Sequence, residues 1–381
     1  MHLAYTPEQE ALQRELRTYF AGLMTPEVEA ECAAGETGGP ACLEAVRTMG
    51  RDGWLGIGWP TEYGGQGRTD VEQFIFFNEA WRAGAPIPFL SINTVGRTIM
   101  EYGTEEQKQF FLPRILRGEL HFSIGYTEPN AGTDLASLTT KAVKDGDEWV
   151  INGQKTFITN GIHSDLVIVV ARTDPNAGSK GFSLFVVERG MPGFGRGRKL
   201  HKVGLAGQDT AELVFEDVRV PATNLLGTEG RGFVHLMENL PLERISIAVN
   251  AIAAAKAAYQ WTRDYVFERK AFGKPIGDLQ NTRFALAEML TEIEVTESHI
   301  DRCVLALNAG ELTAVDASKG KWWASELQKR VVDRCVQLHG GYGYMMEYPI
   351  GRAYVDSRIQ TIYGGTTEIM KEIIGRDIAS Q

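Results

Sequence analysis

Four short stretches carry the side chains best suited to chemistry. Leu240-Pro241-Leu242-Glu243-Arg244-Ile245 sets a carboxylate beside a guanidinium. Tyr363-Gly364-Gly365-Thr366-Thr367-Glu368 is a glycine pair followed by two hydroxyls and an acid. Upstream stand Tyr126-Thr127-Glu128-Pro129-Asn130-Ala131-Gly132-Thr133-Asp134 and Asn152-Gly153-Gln154-Lys155-Thr156-Phe157-Ile158-Thr159-Asn160-Gly161. A carboxylate such as Glu243 can act as a general base when held within hydrogen-bond reach of a substrate proton. It also has a plainer local reading. Pro241 fits an early helical position, and an acid in a first turn is favoured by free N–H groups and the helix dipole. On local sequence alone the capping role is the stronger. His163 and His339 could also take protons, but a packed or solvated histidine is the commoner outcome. His339-Gly340-Gly341-Tyr342-Gly343 is glycine-rich, yet it follows a helical pattern and not a strand, so it is a weak dinucleotide fingerprint. Cys32, Cys42, Cys303 and Cys335 form no Cys-x-x-Cys pair and no zinc-ligand spacing, so no metal site is expected.

The elements that must hold these residues change texture twice. Up to about residue 120 the chain reads as helical. Thr6-Pro7 begins a helix with Leu12, Leu16, Tyr19 and Phe20 at helical spacing, and Thr104-Glu105-Glu106-Gln107 is a capping-box pattern. Gly53 to Gly67 reads as a packed loop. From His121 the turn pairs Asp145-Gly146, Asn152-Gly153 and Asn160-Gly161 separate runs rich in β-formers, which predicts an antiparallel β-domain ending near Pro221 to Gly227. Helix returns from about residue 231. Ile245 to Lys270, Phe284 to Leu307, Ala314 to Leu338 and a terminal Thr367 to Arg376 predict a four-helix bundle.

Length and charge limit the function. With 381 residues the chain suits two or three domains. A net charge of −10 argues against nucleic acid as main partner. No apolar run approaches the roughly 20 residues of a membrane span. The start, Met1 to Glu8, lacks the basic and apolar regions of a signal peptide, so a cytoplasmic location is expected.

The motifs at Tyr126, Asn152 and Tyr363, in that order, resemble the acyl-CoA dehydrogenase flavoproteins, and the α–β–α order matches that family's layout. The resemblance implies an α+β fold: an N-terminal helical domain (1–120), a middle β-domain (121–230) and a C-terminal four-helix bundle (231–381). It implies bound FAD. Tyr126 and Thr127 fall where the family meets the flavin ring, Thr133 near the pyrophosphate and thioester, Phe157 at the aromatic that shields the ring, and Thr159 beside it. Arg269, Phe272, Gln337 and Gly341 match contacts to a neighbouring subunit's cofactor. Thr366 and Glu368 fall where the adenosine end is held. Ala271 stands where some members carry Thr.

The resemblance also exposes a missing side chain. Many members carry the catalytic Glu in a Tyr-Glu-Gly-Thr run, and here that position is Gly364. Members similar to isovaleryl- and long-chain acyl-CoA dehydrogenases place the base just before an Arg at the start of the bundle, which is Glu243 here. Gly364 keeps the backbone N–H that polarises the thioester oxygen. The implied reaction is α,β-dehydrogenation of an acyl-CoA, with Thr133, Arg244 and Tyr363 as substrate neighbours. Pro86 to Gly96 is expected to line the acyl pocket, with Ser91, Thr94 and Gly96 making it roomy. Arg196, Arg198, Lys199 and Lys202 read as a solvated basic loop. The Pro86 stretch and the N-terminus also look similar to actinobacterial dehydrogenases of steroid side-chain CoA thioesters, often α2β2. The implied assembly is a homotetramer or α2β2 heterotetramer passing electrons to an electron-transfer flavoprotein. The rivals are an oxygen-using flavoenzyme of the same fold, a non-catalytic partner subunit and an unrelated helical binding module.

Overall fold

The computed structural model describes residues 5–34 and 38–381; Met1 to Ala4, part of the stretch read for a signal peptide, lie outside it. The N-terminal part is built from α1 (Pro7–Leu23), α2 (Pro26–Ala34), α3 (Pro40–Arg51), α4 (Asp70–Ala83), α5 (Arg97–Tyr102) and α6 (Glu105–Leu116). Both expected caps form. The Gln9 N–H donates to Thr6 Oγ1 and the Thr6 N–H to Gln9 Oε1, and Thr104 and Gln107 repeat the arrangement. The loop from Gly53 to Gly67 is packed as expected, with Leu55, Ile57 and Trp59 buried in the core. A π-helix, Leu90–Gly96, runs directly into α5. Such widened turns often mark functional sites.

The middle part holds β1 (Phe122–Gly125), β2 (Lys141–Asp145), β3 (Glu148–Thr159), β4 (Leu166–Arg172), β5 (Phe182–Glu188), β6 (Phe194–Lys199), β7 (Thr210–Pro221) and β8 (Leu225–Leu226). The sheet order is β6-β7-β3-β2-β4-β5-β8, with β1 also beside β4. Most neighbours are antiparallel, but β1 and β4 run parallel, so the sheet is mixed. That correction has a simple cause: β1 and β4 are joined by a long excursion through β2 and β3, not by a tight turn. Every residue from Leu166 to Ala171 is apolar because both faces of β4 are covered. Leu166, Ile168 and Val170 join the core shared with the helices; Val167, Val169 and Ala171 join a second core with Trp149, Ile151 and Phe215.

The C-terminal part holds α7 (Gly232–Glu268), a small hairpin of β9 (Lys270–Ala271) and β10 (Lys274–Pro275), then α8 (Gln280–Asn308), α9 (Ala314–His339), α10 (Pro349–Ser357) and α11 (Thr367–Ser380). The long helices α7, α8 and α9 pack together, α11 packs on α9, and α10 adds a short fifth member. Ala248, Ala251, Ala255 and Ala258 are buried along α7, where small side chains permit close helix approach. The helix expected from Ile245 begins at Gly232, so Pro241 lies inside it and not in its first turn. Pro241 has no N–H for the Met237 carbonyl one turn back. Burial of α7 against its neighbours outweighs that lost bond.

Candidate active site

Glu243 projects from the middle of α7, which removes the helix-start reading of this acid. One face of α7 presents Asn239, Glu243 and Ser246 at helical spacing. Opposite lie the π-helix and α5. Asn239 Nδ2 donates to Thr98 Oγ1 at 3.0 Å, and Asn93 Nδ2 donates to Ser246 Oγ at 3.1 Å. Between these two fastenings the Thr94 hydroxyl bonds the Glu243 carboxylate. Glu243 retains partial solvent access although protein surrounds it. Burial pushes its carboxyl up to about 7, against the downward pulls of Arg244 and Thr94. The phenol of Tyr126 is enclosed nearby, and burial plus the charge of Glu243 raise its pKa far above the usual range.

Arg244 does not pair directly with Glu243. Its Nη1 donates to Ser318 Oγ on α9 at 3.4 Å, and its Nε is buried without a partner. The guanidinium is therefore beneath the site and not displayed at a charged mouth. The pocket stretch is also corrected in detail. Ser91 Oγ is spent on the Phe122 N–H, and Gly96 is required by Trp59, whose ring would lie 2.2 Å from a Cβ there. Neither adds room; Thr94 faces the carboxylate.

The glycine turn packs against α7. Gly364 and Gly365 have φ of +63° and +96°, a region that side chains rarely adopt. No acceptor among the described residues meets the Gly364 N–H. A Cβ at Gly364 would lie 2.3 Å from Ile247 Cδ1, one helical turn beyond Glu243. Ile247 thus fills the space beside the turn. Tyr363 OH donates to Gln360 Oε1 at 2.8 Å, and Gln360 Nε2 donates to Asn250 Oδ1 on α7 at 2.6 Å, tying the turn to the helix that carries the base. Lys321 Nζ donates to the Gly365 carbonyl at 2.6 Å from a fully buried position on α9.

On the β-domain side, a buried ion pair anchors the Tyr126–Thr127 turn. Lys155 Nζ donates to Glu128 Oε1 at 2.9 Å and to the Tyr126 carbonyl at 3.1 Å, and the Thr156 N–H donates to the Thr127 carbonyl at 2.9 Å. Burial pushes Glu128 up, but Lys155 and the donors of Thr139 and Thr140 outweigh it and leave the carboxyl at about 2. The Thr127 N–H has no partner among the described residues. Phe157 sits at a β-bulge between Lys155 and Ile158 with φ +57°, and its ring is 68% exposed. A bulge re-aims a side chain, here turning a large aromatic out of the sheet. Thr159 is half-buried two residues on, and Thr133 is exposed. An unpaired N–H, an outward aromatic and adjacent hydroxyls fit a flat heterocycle such as a flavin.

A second cleft lies at the far end of the bundle. Arg269, Gln337 and Gly341 line it with Tyr265, Tyr342 and Met345, and it holds none of the residues around Glu243. Arg269 lies 5.9 Å from the Tyr342 ring centroid, and a Cβ at Gly341 would meet nothing. Phe272, on the adjoining hairpin, is 93% exposed with φ +53°. Thr366 and Glu368 already have local work. Thr366 Oγ1 accepts the Ile369 N–H at 3.3 Å as the N-cap of α11, and backbone N–H groups lower Glu368 in its first turn. His339 is packed: its Nδ1 lies 2.8 Å from the Cys335 carbonyl oxygen and its ring stacks on Tyr265. The expected basic loop is in part a strand, and Arg196 is spent on the carbonyls of Gly161 and Ser164. Among the described residues no cluster suited to a metal ion occurs.

Lys321 and Ile247 escaped the sequence reading. Lys321 had a visible signal. It stands in the buried stripe Ala317, Lys321, Ala324, Gln328, Val331 and Cys335, where a lysine breaks the pattern. Ile247 had none, since an isoleucine on an apolar helix face is ordinary core.

Comparison with known proteins agrees with this architecture. Models of the acyl-CoA dehydrogenase N-terminal, middle and C-terminal domains match residues 6–119, 123–218 and 230–379. The mitochondrial long-chain specific acyl-CoA dehydrogenase of Sus scrofa is 46% identical over 98% of this chain and 87% of its own length. The solved acyl-CoA dehydrogenase of Geobacillus kaustophilus is 44% identical, with TM-score 0.92 over 98% of both chains. A chain of the ChsE4-ChsE5 complex from Mycobacterium tuberculosis is 38% identical, with TM-score 0.90 over 100% of this chain and 99% of that one.

Proposed function

The chain belongs to the acyl-CoA dehydrogenase family, a family of flavoprotein oxidoreductases, and from that premise we propose that it dehydrogenates an acyl-CoA thioester to the trans-2-enoyl-CoA with Glu243 as base. The observation that carries this reading is a carboxyl poised near 7 on α7, the helix against which a glycine turn with an unpartnered N–H packs. The Gly364 N–H takes the thioester oxygen and makes the α-proton more acidic. Glu243, as carboxylate, removes that proton. Thr94 holds the carboxylate while it does so. The enclosed Tyr126 keeps water from the α-carbon. Bound FAD would supply the acceptor for the β-hydrogen and its electron pair.

Thr127, Phe157 and Thr159 would hold the flavin ring, with Thr133 near the pyrophosphate. Arg269, Gln337, Gly341 and Phe272 would reach the cofactor of a neighbouring subunit, and Thr366 and Glu368 would lie at its adenosine end. The separation of the second cleft from Glu243 supports this shared arrangement. So do apolar side chains exposed on the bundle, among them Phe284 and Val295. A tetramer and an electron-transfer flavoprotein as acceptor complete the proposal. Similarity to a long-chain specific enzyme favours a fatty acyl-CoA. Similarity to the ChsE4-ChsE5 complex keeps a two-subunit assembly as the second reading. Among the described residues no helix is long and apolar enough to cross a membrane.

A visible spectrum of the purified protein, then anaerobic addition of acyl-CoAs, tests the reading. Flavin absorbance that bleaches with a fatty acyl-CoA and yields the 2-enoyl thioester is expected. Bleaching only by a steroid side-chain thioester moves the substrate class. Rapid peroxide formation in air makes the protein an oxidase. A colourless protein, or a flavin that no acyl-CoA reduces, rejects the dehydrogenase.

A further inference from the structure

Lys321 is the least explained charge in the molecule. It is fully buried on α9, in a stripe otherwise filled by Ala317, Ala324, Gln328, Val331 and Cys335. No carboxylate lies within ion-pair distance of its Nζ among the described residues. Its bond is the 2.6 Å donation to the Gly365 carbonyl. Burial, and then the charge of Arg244, pull its ammonium down to about 8, while Glu326 and Glu368 act the other way from a distance. Arg244 is itself buried, with Nε unpartnered. Two buried cations near one turn are costly unless something compensates them. A methionine or leucine at position 321 would continue the stripe at lower cost.

The turn offers the compensation. Removing an α-proton from a thioester moves negative charge onto the carbonyl oxygen, and fixed donors and charges aimed at that oxygen stabilise it most in the transition state. The donor is the Gly364 N–H, on a backbone of two left-handed glycines that has little stiffness of its own. We propose that Lys321 is a positioning residue for the thioester carbonyl. Its ammonium clamps the Gly364–Gly365 turn through the Gly365 carbonyl, and with Arg244 it supplies the positive field in which the Gly364 N–H meets the developing oxyanion. This role rests on the dehydrogenase reading above.

A series of 3-thiaacyl-CoAs tests it. Their α-protons are acidic, but sulfur replaces the β-carbon, so no hydride can leave. Exchange of the α-hydrogens in D2O, read by mass, reports proton removal alone. The infrared band of a ¹³C-labelled thioester carbonyl reports its polarisation. In the FAD-loaded Lys321→Met protein, exchange should slow about tenfold or more, less than the roughly 10²- to 10³-fold for deleting a direct oxyanion donor. The carbonyl band should move back toward that of the free thioester, and analogue binding should change less than about threefold. Lys321→Arg, which keeps the charge but moves the donor, should fall between parent and Lys321→Met. Parental exchange and an unshifted band in Lys321→Met overturn the proposal. So does an equal loss of exchange and of binding, the mark of mere structural damage. If Lys321→Met does not fold, Lys321→Arg decides: slowed exchange with parental binding upholds the clamp, and parental exchange rejects it. If the parent exchanges no analogue at all, it is the dehydrogenase reading that fails.

Discussion

Two acids enclosed by protein and next to cations have opposite fates in this protein. Glu128 meets Lys155 directly and also takes the N–H and hydroxyl of Thr139 and the N–H of Thr140. Its carboxyl falls to about 2. Glu243 is chain neighbour to Arg244, yet the two form no direct pair; Thr94 bonds it, and its carboxyl rises to about 7. Burial raises both, but only Glu128 has the paired cation and the donors that outweigh it. A carboxylate surrounded by donors is held charged and serves as an anchor. One left short of donors, on the edge of a cleft, is costly to ionise and becomes a base suited to neutral pH. The first pair fixes the Tyr126–Thr127 turn; the second acid lies on the helix against which the Gly364 turn packs.

The sharpest way to break the contrast is Glu243→Gln. Losing a positioned base should slow flavin reduction by roughly 10²- to 10⁴-fold while flavin binding survives. Reduction at the parental rate would make Glu243 a bystander. In the parent, kcat/KM should rise with pH through about 7, as the carboxyl loses its proton, and then level off. The stability sign is informative as well. A carboxyl raised in the folded state keeps its proton longer than in the unfolded chain, so it costs stability as pH climbs from the ordinary value to about 7. Glu243→Gln should therefore be more stable than the parent at pH 8, by an amount of order 1 kcal/mol, a common trade of stability for function.

Glu128→Gln should do the reverse. Its depressed carboxyl contributes stability that is present above the unfolded value and lost as pH falls toward about 2. Removing it leaves Lys155 buried and unpaired, which typically costs about 3–5 kcal/mol. Urea melts at pH 7 should show that loss, together with weaker flavin retention and an unchanged pH limb for whatever activity remains. A variant as stable as the parent would mean that the pair anchors nothing, and the contrast with Glu243 would collapse.

Much of the fold could be read from the chain because its signals are local. Thr6, Thr104, Asp145-Gly146 and Asn160-Gly161 mark element ends by their own hydrogen bonds and backbone preferences, whereas Asn152-Gly153, expected as a turn, lies inside β3 at an irregularity in its pairing with β7. Helix α7 was harder. Pro241 resembles a start, and only burial of the whole helix explains why the chain runs through it. The parallel β1–β4 pairing depends on chain ends far apart in sequence, which local pattern does not encode. At the site, Glu243 and Gly364 could be paired only through a family resemblance. Nothing local says that an acid on α7 and a glycine turn more than a hundred residues later share a cleft. Ile247 and Lys321 are defined by what they touch, so their roles emerge only in three dimensions.

The smallest expected effect concerns that turn. Resemblance suggests that a carboxylate returned at position 364 could replace Glu243. The structure names the obstacle: a Cβ there lies 2.3 Å from Ile247 Cδ1, on a backbone with φ +63°. In the Glu243→Gln background, Gly364→Glu alone should therefore restore almost nothing, because the new side chain and Ile247 claim the same volume. Adding Ile247→Ala clears that volume. The left-handed backbone still costs about 1–3 kcal/mol for a non-glycine residue, and a carboxylate arriving from the turn approaches the α-carbon from a different origin. Recovery of about tenfold over the Glu243→Gln background is the expected scale, a fraction of what a positioned base contributes. Ile247→Ala in the parent is the control, and it should leave proton removal by Glu243 within a few-fold of normal. Rescue by Gly364→Glu without the Ile247 change would show that the isoleucine yields freely and excludes nothing. Silence in the triple variant, with flavin and thioester still bound, would mean that the turn in this chain can polarise the carbonyl but cannot carry the base.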